Sequence, residues 1–312
     1  MIAFVARRLV AGVFLIVLVS LVTFLLVYSS GANIARNILG QTATDGAVLQ
    51  RAEELGLNRP IWQQYSDWLS GVLVGDLGNS FYNNQPVATA LANRIPVTLS
   101  IVIGAVLVVA ILSAVLGVLA AVRRGWIDRV VQVFNVIANA IPNFWLALML
   151  VVAFAITIPL FPATGYIRFE EDPAGWLLSI TLPIMALSIG GLTAASIVRS
   201  SMIDVMRQDY IRTLKSRGLS YQEILYVHAF RNAAAPWLTL LGLQFIGLVG
   251  GAVAIEKVFA LPGLGSMTVT AALQGDIPMI MGVVLVVVVL VVLIYLLIDL
   301  ASAWLNPKVR AR

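Results

Sequence analysis

The stretch Arg199–Arg231, RSSMIDVMRQDYIRTLKSRGLSYQEILYVHAFR, is a basic, amphipathic island between two long runs that carry no charge. It is too polar to cross a bilayer, yet apolar residues recur in it at roughly helical spacing: Ile211, Leu214, Leu219, Ile224, Leu225 and Val227. Gly218 is expected to end one helix, and Ser220 with Glu223 has the S-x-x-E spacing of a capping box that begins another. The stretch therefore predicts two short helices that meet at a glycine elbow and offer a surface to another protein.

The composition around this island is that of a polytopic membrane protein. Sixty per cent of the residues are hydrophobic, 11% are charged and the mean hydropathy is +0.97. Six charge-free runs are long enough to cross about 30 Å of hydrocarbon; they are Leu9–Tyr28, Val97–Val122, Val130–Pro159, Trp176–Val198, Ala233–Ile255 and Ile277–Ile298. The first run is longer than the apolar core of a signal peptide, so we expect an uncleaved first helix. Six crossings place both termini on the same side.

Charge predicts which side that is. One face carries fourteen of the 20 lysines and arginines, namely Arg7, Arg8, Arg123, Arg124, Arg129, Lys308, Arg310, Arg312 and the six within 199–231. The opposite face carries mainly acids: Asp45, Glu53, Glu54, Asp67, Asp76, Glu170, Glu171 and Asp172. The positive-inside rule then predicts that both termini are cytoplasmic. The net charge of +5 follows from this asymmetry and gives no reason to invoke nucleic acid.

Several kinds of chemistry are excluded or disfavoured by the residues present. There is no cysteine, and His228, the single histidine, cannot build a metal site without partners. None of the three lysines follows a glycine, so no G-x-x-x-x-G-K-[ST] loop for ATP exists in this chain. The six runs contain no aspartate, glutamate, histidine, lysine or arginine, which disfavours a proton-coupled carrier. We therefore expect a protein without catalytic residues, metal or cofactor of its own.

Two further regions have alternative interpretations. In the outer segment 29–96, Trp62, Tyr65 and Trp68 suit a helix lying at headgroup level or, equally, a small packed subdomain. After the fifth run, EKVFALPGLG (Glu256–Gly265) predicts a non-helical turn around Pro262, either at the mouth of a pathway or as a simple surface turn.

Polar and small residues within the runs are also ambiguous. Asn139, Asn143, Trp145, Gln244 and Glu256 are candidates to line a pathway, whereas hydrogen bonding between helices is the plain alternative. Pro142 and Pro183 are expected to interrupt the third and fourth runs. The G-x-x-x-G of Gly247 and Gly251 in the fifth run favours close helix packing, with a hinge as the alternative.

Several separated motifs together resemble the permease subunits of peptide-type ABC importers (the oligopeptide, dipeptide and nickel class), in particular the first of their two paired permeases. The motifs are ARRLVAGVFLIVLVSLVTFLLV, GLNRPIWQQYSDWLSGVLVGDLGNSF, AIPNFWLALML, FPATGY, DYIRTLKSRGLSYQEILYVHAFRNAAAP and EKVFALPGLG, in this order along nearly the whole chain. The resemblance implies one all-α permease domain over 1–312 with the type I importer fold. It also implies that the chain lies in the cytoplasmic membrane of a bacterium or archaeon.

The same resemblance implies how the island and its partners work. The segment 199–231 is similar to the coupling loop that docks on an ATP-binding subunit, with its contacts expected at Arg212, Thr213, Leu214, Lys215, Gly218, Leu219, Ser220 and Glu223. Leu214 stands where alanine is common in relatives. The implied partners are a second related permease, two ATP-binding subunits that hold ATP and magnesium, and an extracytoplasmic substrate-binding protein.

Peptides are the substrate that the resemblance most readily implies, with an oligosaccharide or a nickel chelate as alternatives. Three other classes of protein stay open on the residues alone: a carrier that works by itself, an intramembrane enzyme, and a receptor-like subunit. A carrier would be revealed by dependence on a proton or sodium gradient, and an enzyme would need a catalytic pair at membrane depth.

Overall fold

The computed structural model describes residues 2–28, 31–40, 42–123 and 125–305, and within them the chain is helical, with no strand beyond one isolated bridge between Asn79 and Pro86. The α-helices are α1 (Ile2–Tyr28), α2 (Gly31–Leu39), α3 (Asp45–Glu54), α4 (Ile61–Leu73), α5 (Val87–Val122), α6 (Trp126–Ala140), α7 (Asn143–Val151), α8 (Pro173–Gly191), α9 (Ala194–Met206), α10 (Asp209–Ser216), α11 (Tyr221–Glu223), α12 (Phe230–Val258), α13 (Leu264–Gln274) and α14 (Ile277–Leu305). Two π-helical segments, Val152–Thr157 and Ile224–Ala229, follow α7 and α11. Four of the fourteen basic residues that predict cytoplasmic termini lie outside the described residues: Arg124, Lys308, Arg310 and Arg312.

Five helical stretches are long and apolar enough to cross a membrane: Val5–Tyr28, Val87–Val122, Pro173–Gly191, Tyr221–Val258 and Ile277–Ser302. A sixth crossing is obtained if Trp126–Ala140 and Asn143–Thr157, which meet at a bend of 95°, form one broken span. The all-α class and the multi-pass character predicted from the sequence are thereby confirmed.

The two prolines expected to interrupt spans behave differently. Pro142 directly precedes α7 and has an extended backbone (φ −62°, ψ 134°). The residue before it, Ile141, is also extended (φ −88°, ψ 123°) and ends α6, because proline disfavours helical geometry in the preceding residue and lacks an N–H for the preceding turn. Pro183, in contrast, lies inside α8, so the prediction of a break there was wrong. The fourth run instead breaks ten residues later, between Gly191 and Ala194, where α8 gives way to α9.

One compact unit comprises Leu99–Leu261 together with the part of α14 that begins at Leu293. In it α12 packs against α7, α8 and α9, and α5 approaches α9 closely. A β-carbon at Gly117 would lie 2.6 Å from the Ala195 carbonyl oxygen, so glycine is what permits this approach. Buried residues from α5, α9, α10 and the first turns after the elbow form one cluster: Val118, Val198, Met202, Ile211, Ile224 and Leu225.

The second unit comprises Ile2–Thr98 and Pro262–Val292 and contains most of the outer segment. Phe24, Ile34, Ile277 and Met281 form one of its buried clusters, against which Tyr65 and Trp68 of α4 pack. The Tyr65 hydroxyl lies 2.9 Å from Ser20 Oγ and 3.3 Å from the Val17 carbonyl oxygen, while Trp62 is 70% exposed. These contacts favour the packed subdomain over a helix that lies free at the headgroups.

Candidate coupling segment and pathway residues

The elbow predicted within 199–231 is present. Gly218 has φ +83°, a left-handed conformation that strains any residue with a β-carbon, and it follows the end of α10 at Ser216. Its amide donates to the Lys215 carbonyl at 3.0 Å. Ser220 Oγ then accepts a hydrogen bond from the Glu223 amide at 3.2 Å, which caps the start of α11. The glycine stop and the serine cap are therefore confirmed as structure.

The second helix of the elbow, however, is not a separate short helix. From Tyr221 the chain continues through the π-helical segment into α12 and stays helical to Val258. No glycine interrupts this stretch before Gly242, and Pro236 is accommodated inside the helix. The island thus continues, without a break in the helical backbone, into a membrane-spanning helix on its C-terminal side.

The two faces of the segment differ sharply. Ile211 and Ile224 are fully buried, and Leu214 and Leu219 pack half-buried against the same cluster. The opposite face is exposed and polar, and it carries Arg212, Thr213, Lys215, Gly218, Ser220 and Glu223. Val227, which the helical spacing placed on the apolar stripe, is instead 56% exposed, because the wider π turn rotates it away from the buried face. The exposed polar face can dock on another protein while the apolar face anchors it.

Two of the candidate pathway residues meet around a glycine pair at the end of α8. Gln244 Nε2 donates to the Gly191 carbonyl at 2.9 Å, and its buried Oε1 has no hydrogen-bond partner among the described residues. A β-carbon at Gly190 would lie 3.1 Å from Asn143 Oδ1, so Asn143 of α7 reaches the same pair. Helices α7, α8 and α12 thus bring Asn143 and Gln244 together.

The other candidates do not join this cluster. Asn139 is exposed on α6, and Trp145 is 46% exposed on α7. Glu256 is completely buried near the end of α12, and its carbonyl accepts a hydrogen bond from the Leu261 amide at 2.8 Å. Pro262 lies exposed in the turn that leads to α13. A shared role in lining a pathway stays a prediction for all six residues.

The turn after α12 is strained and tied to a second motif. Ala260 has φ +51°, a conformation uncommon for a residue with a β-carbon, while Phe259 and Leu261 beside it are buried. The Gly165 amide of the FPATGY motif donates to the Phe259 carbonyl at 2.9 Å. The non-helical turn is therefore packed and not a free surface loop.

The small residues of α12 also separate by environment. A β-carbon at Gly251 would touch Leu187 Cδ2 at 3.5 Å, and one at Gly242 would lie 2.7 Å from Ile298 Cδ1. At Gly247 and Gly250 a β-carbon would meet nothing within 4 Å. Among the described residues, Gly251 packs against a neighbouring helix and Gly247 does not, so the two residues of the G-x-x-x-G do not pack there as a pair.

A polar strip between α6 and α9 was missed by the sequence reasoning. Arg199 pairs with both carboxylate oxygens of Asp128, and Ser196 Oγ donates to Gln132 Oε1 while accepting from Asn135 Nδ2, each at 3.2 Å. Positions 128, 132 and 135 recur at i, i+4 and i+7, which is a helical polar stripe visible in the sequence.

Comparison with known proteins places these features in a family. Residues 113–311 match the family described as binding-protein-dependent transport system inner membrane component, and residues 1–102 match the N-terminal region of such membrane components. A protein of Brucella abortus (strain 2308) named as a peptide transport system permease is 40% identical over 314 residues, covering 99% of both chains. A dipeptide transport system permease of Alkalihalophilus pseudofirmus is 32% identical, covering 99% of this chain and 100% of the relative. A glutathione transport system permease of Escherichia coli O6:H1 (strain CFT073) is 32% identical and covers 99% of each.

These matches run over the helices that carry both the elbow and the Asn143–Gln244 cluster, and they confirm the resemblance read from the motifs. The chain belongs to the inner-membrane components of binding-protein-dependent transport systems, as a permease of the peptide-type ABC importer class with the type I fold.

Proposed function

We propose that this permease, together with a second related permease, forms the translocation pathway of an ATP-driven importer for peptides that an extracytoplasmic binding protein delivers. The observation that carries the proposal is the exposed polar face around Gly218, which is anchored by a buried apolar face and continues directly into α12. The names of the relatives, which specify peptides, dipeptides and glutathione, favour peptides over an oligosaccharide or a nickel chelate.

ATP and magnesium would be bound by two partner subunits, because this chain lacks a phosphate-binding loop. Those subunits would dock on the exposed residues of the elbow, with Leu214 and Leu219 holding the segment to the body of the protein. Movement of the ATP-binding subunits would displace the elbow and, through α12, the helices that meet it. This is a two-state element that a ligand on another subunit biases.

Solute would pass the cluster of Asn143 and Gln244, with Asn139, Trp145, Glu256 and Pro262 contributing at other levels. The unpartnered Gln244 Oε1 is an acceptor of the kind that a peptide N–H would use. The charge distribution supports cytoplasmic termini, and thus an elbow on the cytoplasmic side of a bacterial or archaeal plasma membrane.

The test is purification of the tagged chain in mild detergent from its native membrane, followed by ATPase and peptide-uptake assays on the reconstituted sample. Gly218→Trp is expected to abolish co-purification of the ATP-binding subunits and the ATPase activity. Gly125→Trp is the matched control, because Gly125 also has positive φ (+98°) and nothing within 4 Å of its β-carbon position. Recovery of the chain without partners, with uptake that follows a proton or sodium gradient, would refute the proposal and establish a carrier that works alone.

A further inference from the structure

A groove of about 480 Å³ opens between the end of α5 and the helical stretch that starts at Tyr221. Its α5 wall is a single helical stripe, with Val115, Leu119 and Arg123 at i, i+4 and i+8. The facing wall contains Tyr221, Leu225 and Tyr226, so it includes residues of the π-helical segment. The volume is within the range of about 300–1,000 Å³ that small-molecule sites occupy.

The groove is polar at one end only. Arg123 follows the last residue of α5, and Tyr221 is the first residue of α11, so the cation and the first tyrosine lie at the same, elbow-side end. Ala114 and Phe230 line the other end, which is apolar. Among the described residues that line the groove, Arg123 carries the only charge, and there is no carboxylate to oppose an anion.

The length of the groove also fits one class of molecule. From Ala114 to Arg123 the stripe rises roughly 14 Å at 1.5 Å per residue. Half of the 30 Å hydrocarbon thickness is about 15 Å. An apolar groove of one leaflet's depth that ends in a cation and hydroxyl donors is complementary to an acyl chain with an anionic head.

We infer that this groove binds an anionic phospholipid of the leaflet on the elbow side, with the phosphate held at Arg123 and an acyl chain along Val115 and Leu119. Tyr221 and Tyr226 supply hydroxyl donors to the headgroup oxygens. Because Leu225 and Tyr226 belong to the π-helical segment, the lipid contacts the stretch that joins the elbow to α12. The inference rests on the proposed function only in identifying this leaflet as the cytoplasmic one.

The test uses the absence of native cysteine to place one fluorophore in the groove. Val115→Cys lines the groove, and Ile111→Cys is the control on the same helix; the native side chains are 58% and 62% exposed. Each labelled full-length chain, with whatever subunits co-purify, is placed in nanodiscs. Quenching by brominated phosphatidylglycerol is then compared with quenching by brominated phosphatidylcholine at equal mole fraction.

The inference predicts stronger quenching by phosphatidylglycerol than by phosphatidylcholine at position 115, and equal quenching by the two lipids at position 111. Arg123→Gln should weaken the preference about fivefold, the value that about 1 kcal/mol per basic residue gives. Arg123→Lys should retain the preference, and so should the control Arg129→Gln, whose side chain is exposed and does not line the groove.

Three results would overturn the inference. Equal quenching by both lipids at position 115 would show a surface without selectivity. Protection from both lipids would show that another protein covers the groove. Loss of the preference on addition of millimolar inorganic phosphate would assign Arg123 to a soluble phosphate. None of these results depends on ATPase activity, so failure here is distinct from failure of the transport proposal.

Discussion

Arg199 of α9 holds Asp128 of α6 through two hydrogen bonds, from Nε to Oδ1 and from Nη2 to Oδ2, each 2.5 Å long. The side chains retain only 29% and 17% of their exposure. The pair fixes the start of α6 to the helix that leads into the elbow. Bidentate arginine–carboxylate pairs add geometric specificity as well as energy.

Arg199→Gln is therefore expected to destabilise the protein by about 1–3 kcal/mol, the range for a hydrogen bond to a charged group whose partner is left largely buried. The measurement is thermal unfolding in detergent, with Arg129→Gln, an exposed arginine on α6, as the control. The exchange Asp128→Arg with Arg199→Asp should recover part of the loss. An unchanged melting temperature in Arg199→Gln would show that the pair contributes nothing to stability.

Gly218→Ala is expected to cost about 1–2 kcal/mol, because a left-handed backbone places the β-carbon against the following carbonyl. A steric clash with neighbouring residues is not the cause of this cost, since no atom of the described residues lies within 4 Å of the β-carbon position. Gly218→Asn should be milder than Gly218→Ala, since asparagine tolerates this conformation. Coupled ATPase activity in proteoliposomes and thermal stability would both be measured. Equal effects of alanine and asparagine would contradict the backbone explanation.

Two glycines should respond in opposite directions to the same substitution. Gly191→Ala would place a methyl group 2.5 Å from Val109 Cγ2, a stiff and buried neighbour, and should destabilise by about 1–3 kcal/mol. Gly247→Ala, in the open middle of α12, should raise stability by up to about 1 kcal/mol because alanine favours the helix. Thermal unfolding of both variants tests the pair. If Gly247→Ala raises stability but lowers transport, Gly247 acts in movement or in contact with another subunit.

In the unit that contains the outer segment, Asp276 is 2% exposed and accepts hydrogen bonds from Ser80 Oγ and the Phe81 amide, the latter at 3.1 Å. Asp276→Ala should leave both donors unsatisfied and loosen the turn around residues 78–86, at a cost of about 1–3 kcal/mol. Hydrogen exchange of the Phe81 amide should rise, whereas Asp67→Ala, an exposed acid in α4, should leave it unchanged. Protection that is equal in both variants would show that the turn is held by other contacts.

Much of the fold was predictable because its signals are local. Hydropathy located the spans, Gly218 marked the elbow as a helix stop, and Ser220 with Glu223 marked the next helix start. The 95° bend was only half visible, since Pro142 marks a break but carries no information about its angle. Pro183 misled for a different reason: a membrane helix can accommodate a proline ring when neighbouring helices satisfy the freed carbonyl, so proline does not always mark a break.

The site was predicted less completely, because it depends on which side of each helix faces a neighbour. Asn143 and Gln244 converge on Gly190 and Gly191, whereas Asn139 and Trp145, equally plausible in an apolar run, are exposed. Asp128 and Arg199 are 71 positions apart, so their pairing is a property of the packed helices and of no local pattern.

The helical stretch from Tyr221 to Val258 connects the elbow directly to the turn around Pro262. Its 38 residues measure about 57 Å if helical throughout, nearly twice the hydrocarbon thickness. Ser220 lies just before one end and Glu256 near the other. Under the proposed function, a displacement of the elbow would reach Glu256 through the helix backbone itself. Bending at the π-helical segment and at Pro236 would determine how much of that displacement is transmitted.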